Sequence, residues 1–111
     1  MKVDFDNPKH EALVNKYDAL CKRYNKKGIN CAMDILDTIN VLHVAGTLFD
    51  VPHTYHPHPL HGEYKGCFAV NVDSKNRVIF RPNHTGDPSF RIDNFKSIKA
   101  ILIIEIFKNY H

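Results

Sequence analysis

In the opening MKVDF, Val3 and Phe5 alternate with Lys2 and Asp4, the spacing of a short strand. The period then changes. Asp6 or Asn7 can cap a helix and Pro8 suits its first turn, where a missing N–H costs nothing. Leu13, Tyr17, Leu20, Cys21 and Tyr24 follow at helical spacing and form one apolar stripe. NKKG ends that helix, with Gly28 free to take a left-handed turn conformation. A second stripe runs through Ile29, Ala32, Ile35, Leu36, Ile39 and Leu42, with Asp34 and Asp37 off it. Two amphipathic helices joined by a short turn need an apolar surface to cover.

The rest of the chain offers one. Between Thr47 and Gly62 the prolines at 52, 57 and 59 disfavour helix and predict extended segments. GCFAVNV alternates Phe68, Val70 and Val72 against Ala69 and Asn71; DSKN reads as a hairpin turn and RVIFR as the returning strand. PNHTGDPSFRIDN is a polar loop, and AILIIEIF is nearly continuous in apolar residues, as expected of an interior strand buried on both faces. The expectation is one α+β domain over residues 1–111: an N-terminal strand, then a helical hairpin packed on a largely antiparallel sheet of four to five strands.

Composition leaves this picture standing. With 43% apolar and 24% charged residues, the 111-residue chain has the means for a small core and no mark of disorder. The run Ala100 to Ile104 is too short to span a bilayer, and MKVDFDNPKH lacks the apolar segment of a signal peptide, so a cytoplasmic protein with no membrane partner is expected. Cys21, Cys31 and Cys67 are odd in number and form no C-x-x-C, which reads as reduced thiols. A net charge of +3 is compatible with a polyanionic partner without demanding one.

Chemistry concentrates in three places. HTYHPHPLHG holds four of the eight histidines: His53, His56, His58 and His61. If extended, it puts His56 and His58 on one face and His53 and His61 on the other, which speaks against a shared metal. Lys65 precedes the strand pair, and Arg77 and Arg81 lie on its returning strand. Such cations either hold a phosphate or simply decorate an edge. Finally, EIFKNYH attaches an amide, a phenol and an imidazole (Asn109, Tyr110 and His111) directly to a core strand. Together these groups suit acid–base work on a phosphodiester, with imidazoles moving protons and arginine holding the anionic centre.

With those residues placed, the sequence resembles the HigB-type toxins (plasmid maintenance killer proteins) of bacterial toxin–antitoxin pairs, within the RelE/ParE superfamily. HPLHGEYKGCFAVNV…NRVIF is similar to the family's H-P-L-K-G, glycine–aromatic strand and hairpin ending in W-R-I-x-F, and EIFKNYH is similar to its closing acidic-x-x-D-Y-H. The resemblance implies a RelE/ParE-like fold and a ribosome-dependent endoribonuclease that cuts messenger RNA and is restrained by a helix-turn-helix antitoxin of the HigA kind. His58, Arg77, Tyr110 and His111 fall on its catalytic positions, with His61, Lys65, Arg81 and Asn109 as substrate-binding candidates. Two positions depart from the pattern. His61 stands for a lysine, so its charge is only partial at neutral pH, and Asn109 stands for an aspartate and cannot take a proton.

The mechanism this implies needs no metal or cofactor: a 2′-hydroxyl attacks its own 3′-phosphate, with His58 and His111 as base and acid in either order and Arg77 on the phosphorane charge. The competing reading is a non-catalytic toxin acting by protein binding, as gyrase inhibitors of the same superfamily do. An antitoxin would meet either a free strand edge or a basic groove.

Overall fold

The computed structural model describes residues 1–110. Strand β1 (Lys2–Phe5) leads into helices α1 (Pro8–Val14), α2 (Tyr17–Tyr24) and α3 (Cys31–Val44). Strands β2 (His58–Pro59), β3 (Phe68–Asn71), β4 (Asn76–Pro82) and β5 (Ala100–Asn109) follow. They make one five-stranded sheet in the order β1-β5-β4-β3-β2, antiparallel except where β1 runs parallel to β5. The expected α+β architecture and largely antiparallel sheet are present.

The first helix differs from expectation. Its stripe belongs to two helices, because the chain breaks at Asn15 and the extended Lys16. Asn7 caps α1 through the Lys9 amide (2.9 Å), and α1 packs on β1 and α2, whereas α2 buries Leu20 against α3. The two segments answer to different partners, and asparagine, whose amide competes for backbone bonds, is a poor residue to continue a helix across that change. Gly28 does take a positive φ of 77°, in a turn where Lys26 and Ile29 exchange backbone hydrogen bonds. Ile29 itself lies outside α3 and is 56% exposed, so the second stripe begins later than its spacing predicts. Asn25 and Asn30 cap α3 by accepting from the amides of Ala32 (2.8 Å) and Met33 (3.0 Å).

The helices cover one face of the sheet. Ala32, Ile35, Ile39 and Leu42 of α3 pack with Leu20, Phe68, Val70, Val78, Phe80, Ile101, Ile103 and Ile106. The other face carries a smaller buried cluster, Leu60, Cys67, Ala69 and Ile79, with Tyr64, Ile104 and Tyr110 packed on it.

Strand β5 is interior, between β1 and β4, yet it is not buried on both faces along its length. Against β4 it carries two irregularities: the step from Phe80 to Ile79 faces the longer step Ile103 to Glu105, and the step from Ile79 to Arg77 faces Glu105 to Lys108. Each is a bulge, an extra residue that puts neighbours on one side. Ile106 and Phe107 therefore both serve the helix-side core, while Ile104, Lys108 and Tyr110 belong to the open face.

The proline-rich segment is also less extended than expected. Only His58–Pro59 forms strand; Leu48–Asp50, His53–Tyr55 and Gly62–Tyr64 are single 3₁₀ turns, and His56 sits in the left-handed region at φ 49°.

Candidate functional site on the open face of the sheet

The strand register assigns side chains to the open face. Ala69 and Ile79 are paired on it, so His58, opposite Ala69, shares it. Counting by twos from Ile79 brings Arg77 and Arg81 to the same side, and Lys108 stands opposite Arg77. Hydrophobic burial pins this arrangement, because a one-residue slip would carry Phe68, Val70, Val78 and Phe80 out of the main core.

His58 Nδ1 lies 2.7 Å from the His56 carbonyl oxygen, which can only accept, so Nδ1 carries a proton and donates it. The working nitrogen is therefore Nε2, a base in the neutral ring and an acid in the charged one. The His56 ring stacks obliquely on His58 with centroids 4.7 Å apart.

Arg77 is anchored from behind. Its Nη1 donates to the carbonyls of Asp73 (2.9 Å) and Asn76 (3.1 Å), and Nη2 reaches the Ser74 carbonyl at 3.5 Å. Those bonds leave the Nε–H and the second Nη2–H, the edge that grips a carboxylate or phosphate bidentately. The turn beneath is itself fixed: the Asp73 carboxylate accepts from the amides of Lys75 (2.8 Å) and Asn76 (2.7 Å). Burial pushes the Asp73 carboxyl up, but these amides, the Asn76 side chain and the Arg77 charge outweigh it and hold it below its ordinary value. Across the ladder from Arg77, Asn71 Oδ1 is buried with no hydrogen-bond partner among the described residues, an acceptor left over on this face.

Tyr110 is held at both ends. Its amide donates to the Lys75 carbonyl (3.2 Å), and its ring meets Tyr64 edge to face with centroids 5.6 Å apart. Tyr64 comes from a tight loop closed by the Leu60 amide on the Cys67 carbonyl (2.9 Å), with Gly62 and Gly66 at φ 67° and 89°, where other residues are strained. Burial, then the Glu105 carboxylate, raises the Tyr64 phenol against the opposing Lys108 charge, so it stays a hydrogen-bond donor at neutral pH.

The other candidates are more scattered. Lys65 and Arg81 border a cleft on this face floored by Cys67 and Ile104. His61 is exposed at the start of the Gly62–Tyr64 turn. Asn109 pairs with Asn76 and alternates away from Lys108 and Tyr110. His111 lies outside the described residues. Among the described residues no group of three His, Cys, Asp or Glu side chains gathers as a metal site, and no helix is long and apolar enough to cross a membrane.

Tyr64, Lys108 and Asn71 join this face without having been picked out from the sequence. Tyr64 had one visible signal, its place between two glycines in GEYKG. Lys108 is assigned by its pairing with Arg77.

No family model matches the chain, and no curated protein does. Solved structures do. A chain of the YoeB–YefM complex from Staphylococcus aureus aligns with a TM-score of 0.55 at 14% identity, over 99% of this chain and 98% of that one. The fold is that of the YoeB and RelE-like toxins. A YoeB/ParE toxin from Agrobacterium tumefaciens aligns at 0.53 with 15% identity, over 100% of both chains. A heterotetrameric YoeB–YefM toxin–antitoxin complex from S. aureus aligns at 0.52 with 10% identity, over 99% of this chain and 98% of that one.

Proposed function

We propose that this protein is a ribonuclease toxin of a toxin–antitoxin pair, of the HigB type, cutting messenger RNA on the ribosome. The observation that carries the reading is the open face itself: His58, Arg77, Lys108 and Tyr110 share one side of the sheet in a fold common to YoeB toxins. A proton acceptor and a guanidinium edge supply acid–base and electrostatic help to cleavage of a phosphodiester, and an aromatic ring can stack on a base.

In the proposed reaction one imidazole, His58 or His111, takes the proton from a ribose 2′-hydroxyl. That oxygen bonds to the adjacent phosphorus, the bond from phosphorus to the 5′-oxygen breaks, and the other imidazole protonates the departing oxygen. The products are a 2′,3′-cyclic phosphate and a 5′-hydroxyl. Arg77 and Lys108 offset the charge on the pentacoordinate phosphorus, and Tyr110, braced by Tyr64, orients the nucleotide. A helix-turn-helix antitoxin of the HigA kind would restrain the protein by covering this basic face, as the YoeB–YefM structures hold toxin with antitoxin.

The test is to add purified protein to translating ribosomes, map new 5′ ends on the messenger and identify the chemical groups at the cut ends. Cleavage that leaves a 2′,3′-cyclic phosphate and a 5′-hydroxyl and disappears in His58→Ala supports the reading. Growth inhibition without new ends would favour the non-catalytic alternative instead.

A further inference from the structure

The loop between β4 and β5 is long and polar, yet it is built as a wall. His84 Nε2 accepts from the amides of Lys99 (2.9 Å) and Ala100 (3.2 Å), and its ring stacks flat on Phe90 with centroids 4.9 Å apart and planes 6° from parallel. The Ser97 hydroxyl accepts from the Arg91 amide (2.8 Å) and donates to the Asn94 carbonyl (2.7 Å). These ties hold Phe90 and the half-exposed Ile92 beside the open face of the sheet.

Between that wall and the sheet lies a cleft of about 370 Å³ lined by Lys65, Cys67, Arg81, Phe90, Ile92 and Ile104. Its floor is apolar, and burial raises the Cys67 thiol, opposed by the Arg81 charge, so the floor stays neutral. Its rim is cationic. Among the described residues no carboxylate lies within 4.0 Å of Lys65 or Arg81. Arg81 lies on the same strand as Arg77 and the same face, four residues further on, which at strand rise is roughly 13 Å away. The cleft is therefore beside the proposed reaction centre and separate from it.

We infer that this cleft is a second nucleotide subsite, which takes a base flanking the scissile phosphate between Ile92 and the sheet while Lys65 and Arg81 hold its phosphate. The chemistry follows from the lining: a slot with aromatic and aliphatic walls accepts the flat face of a base, and unpaired cations at its mouth accept the attached anion. The inference rests on the RNA-cleaving reading and deepens it. The wall comes from the long loop, so this subsite sets sequence preference, whereas the face around Arg77 reads only ribose and phosphate.

The experiment uses a fluorescent oligoribonucleotide with 2′-O-methyl riboses, which lacks the attacking hydroxyl, and follows anisotropy as salt and single bases are varied. Arg81→Gln is expected to weaken binding roughly tenfold and to reduce the salt slope by about 0.7, the value for one single-strand phosphate contact. Ile92→Ala is expected to flatten base preference at one position only. Unchanged urea midpoints in both variants establish that each is folded. If both bind like the wild type while Arg77→Gln loses affinity, the subsite is refuted and the RNA-cleaving reading stands. If the wild type binds no oligonucleotide, the subsite is refuted, and the RNA-cleaving reading is decided separately by the 5′-end mapping on ribosomes.

Discussion

Tyr64 and Tyr110 meet edge to face, with ring centroids 5.6 Å apart and planes 89° to each other. Tyr64 thereby sets the position of the one aromatic that the sequence pattern marked near the chain end. Tyr64→Ala should lower messenger cleavage about tenfold or more with KM little changed, because a misplaced orienting group acts on the reaction step. Tyr64→Phe, which keeps the ring, should restore most of it. Equal loss in both variants would assign the effect to the phenol and not to positioning.

Arg77 spends three hydrogen bonds on the turn behind it before it can meet a phosphate. Arg77→Lys keeps the charge but cannot serve both edges. The expected result is a loss of about 1 kcal/mol in stability from the turn, with a larger relative fall in cleavage. Urea titration and 5′-end mapping on the same preparation measure the two effects. A lysine variant with wild-type activity would remove Arg77 from the proposed reaction.

The same turn sets an acid limit on stability. Asp73 has a folded carboxyl held below its ordinary value of 3.8, so the unfolded chain binds the proton more readily. Its contribution is complete above that value and is lost as pH falls through the lower folded one. Asp73→Asn should flatten the decline of the urea midpoint as pH falls below 3.8. An unchanged decline would place the acid sensitivity elsewhere.

His84 acts as a backbone acceptor at the start of β5. His84→Ala leaves the Lys99 and Ala100 amides without that partner, at a cost of about 1–3 kcal/mol. Hydrogen exchange should accelerate at both amides. If exchange there stays at the wild-type rate, water or a rearranged loop has replaced the ring.

Much of the scaffold was legible because burial writes a period into the chain. The hairpin of β3 and β4, the cover by α3 and the turn at Gly28 all follow from local spacing and turn chemistry. The break at Asn15 and Lys16 was hidden, because apolar residues on both sides of it still fall at helical intervals. His58, Arg77 and Tyr110 could be singled out in the sequence, but their shared face depends on strand order. The wall of the cleft was not visible at all, and the two glycines around Tyr64 marked a turn without showing what its ring would meet. The partners of both are distant in the chain, and no local pattern encodes which loop will lie against which strand.

The two bulges of β5 cancel. Strict alternation from Ile101 and Ile103 would have turned Glu105 toward the helices and Ile106 toward the open face. The first bulge advances the phase of the strand by one residue and the second restores it, so only that neighbouring pair changes places. The carboxylate is spared desolvation, the isoleucine enters the core, and Lys108 and Tyr110 keep the orientation they would have had in an unbroken strand. β5 thus transposes two residues in space without transposing them in the gene.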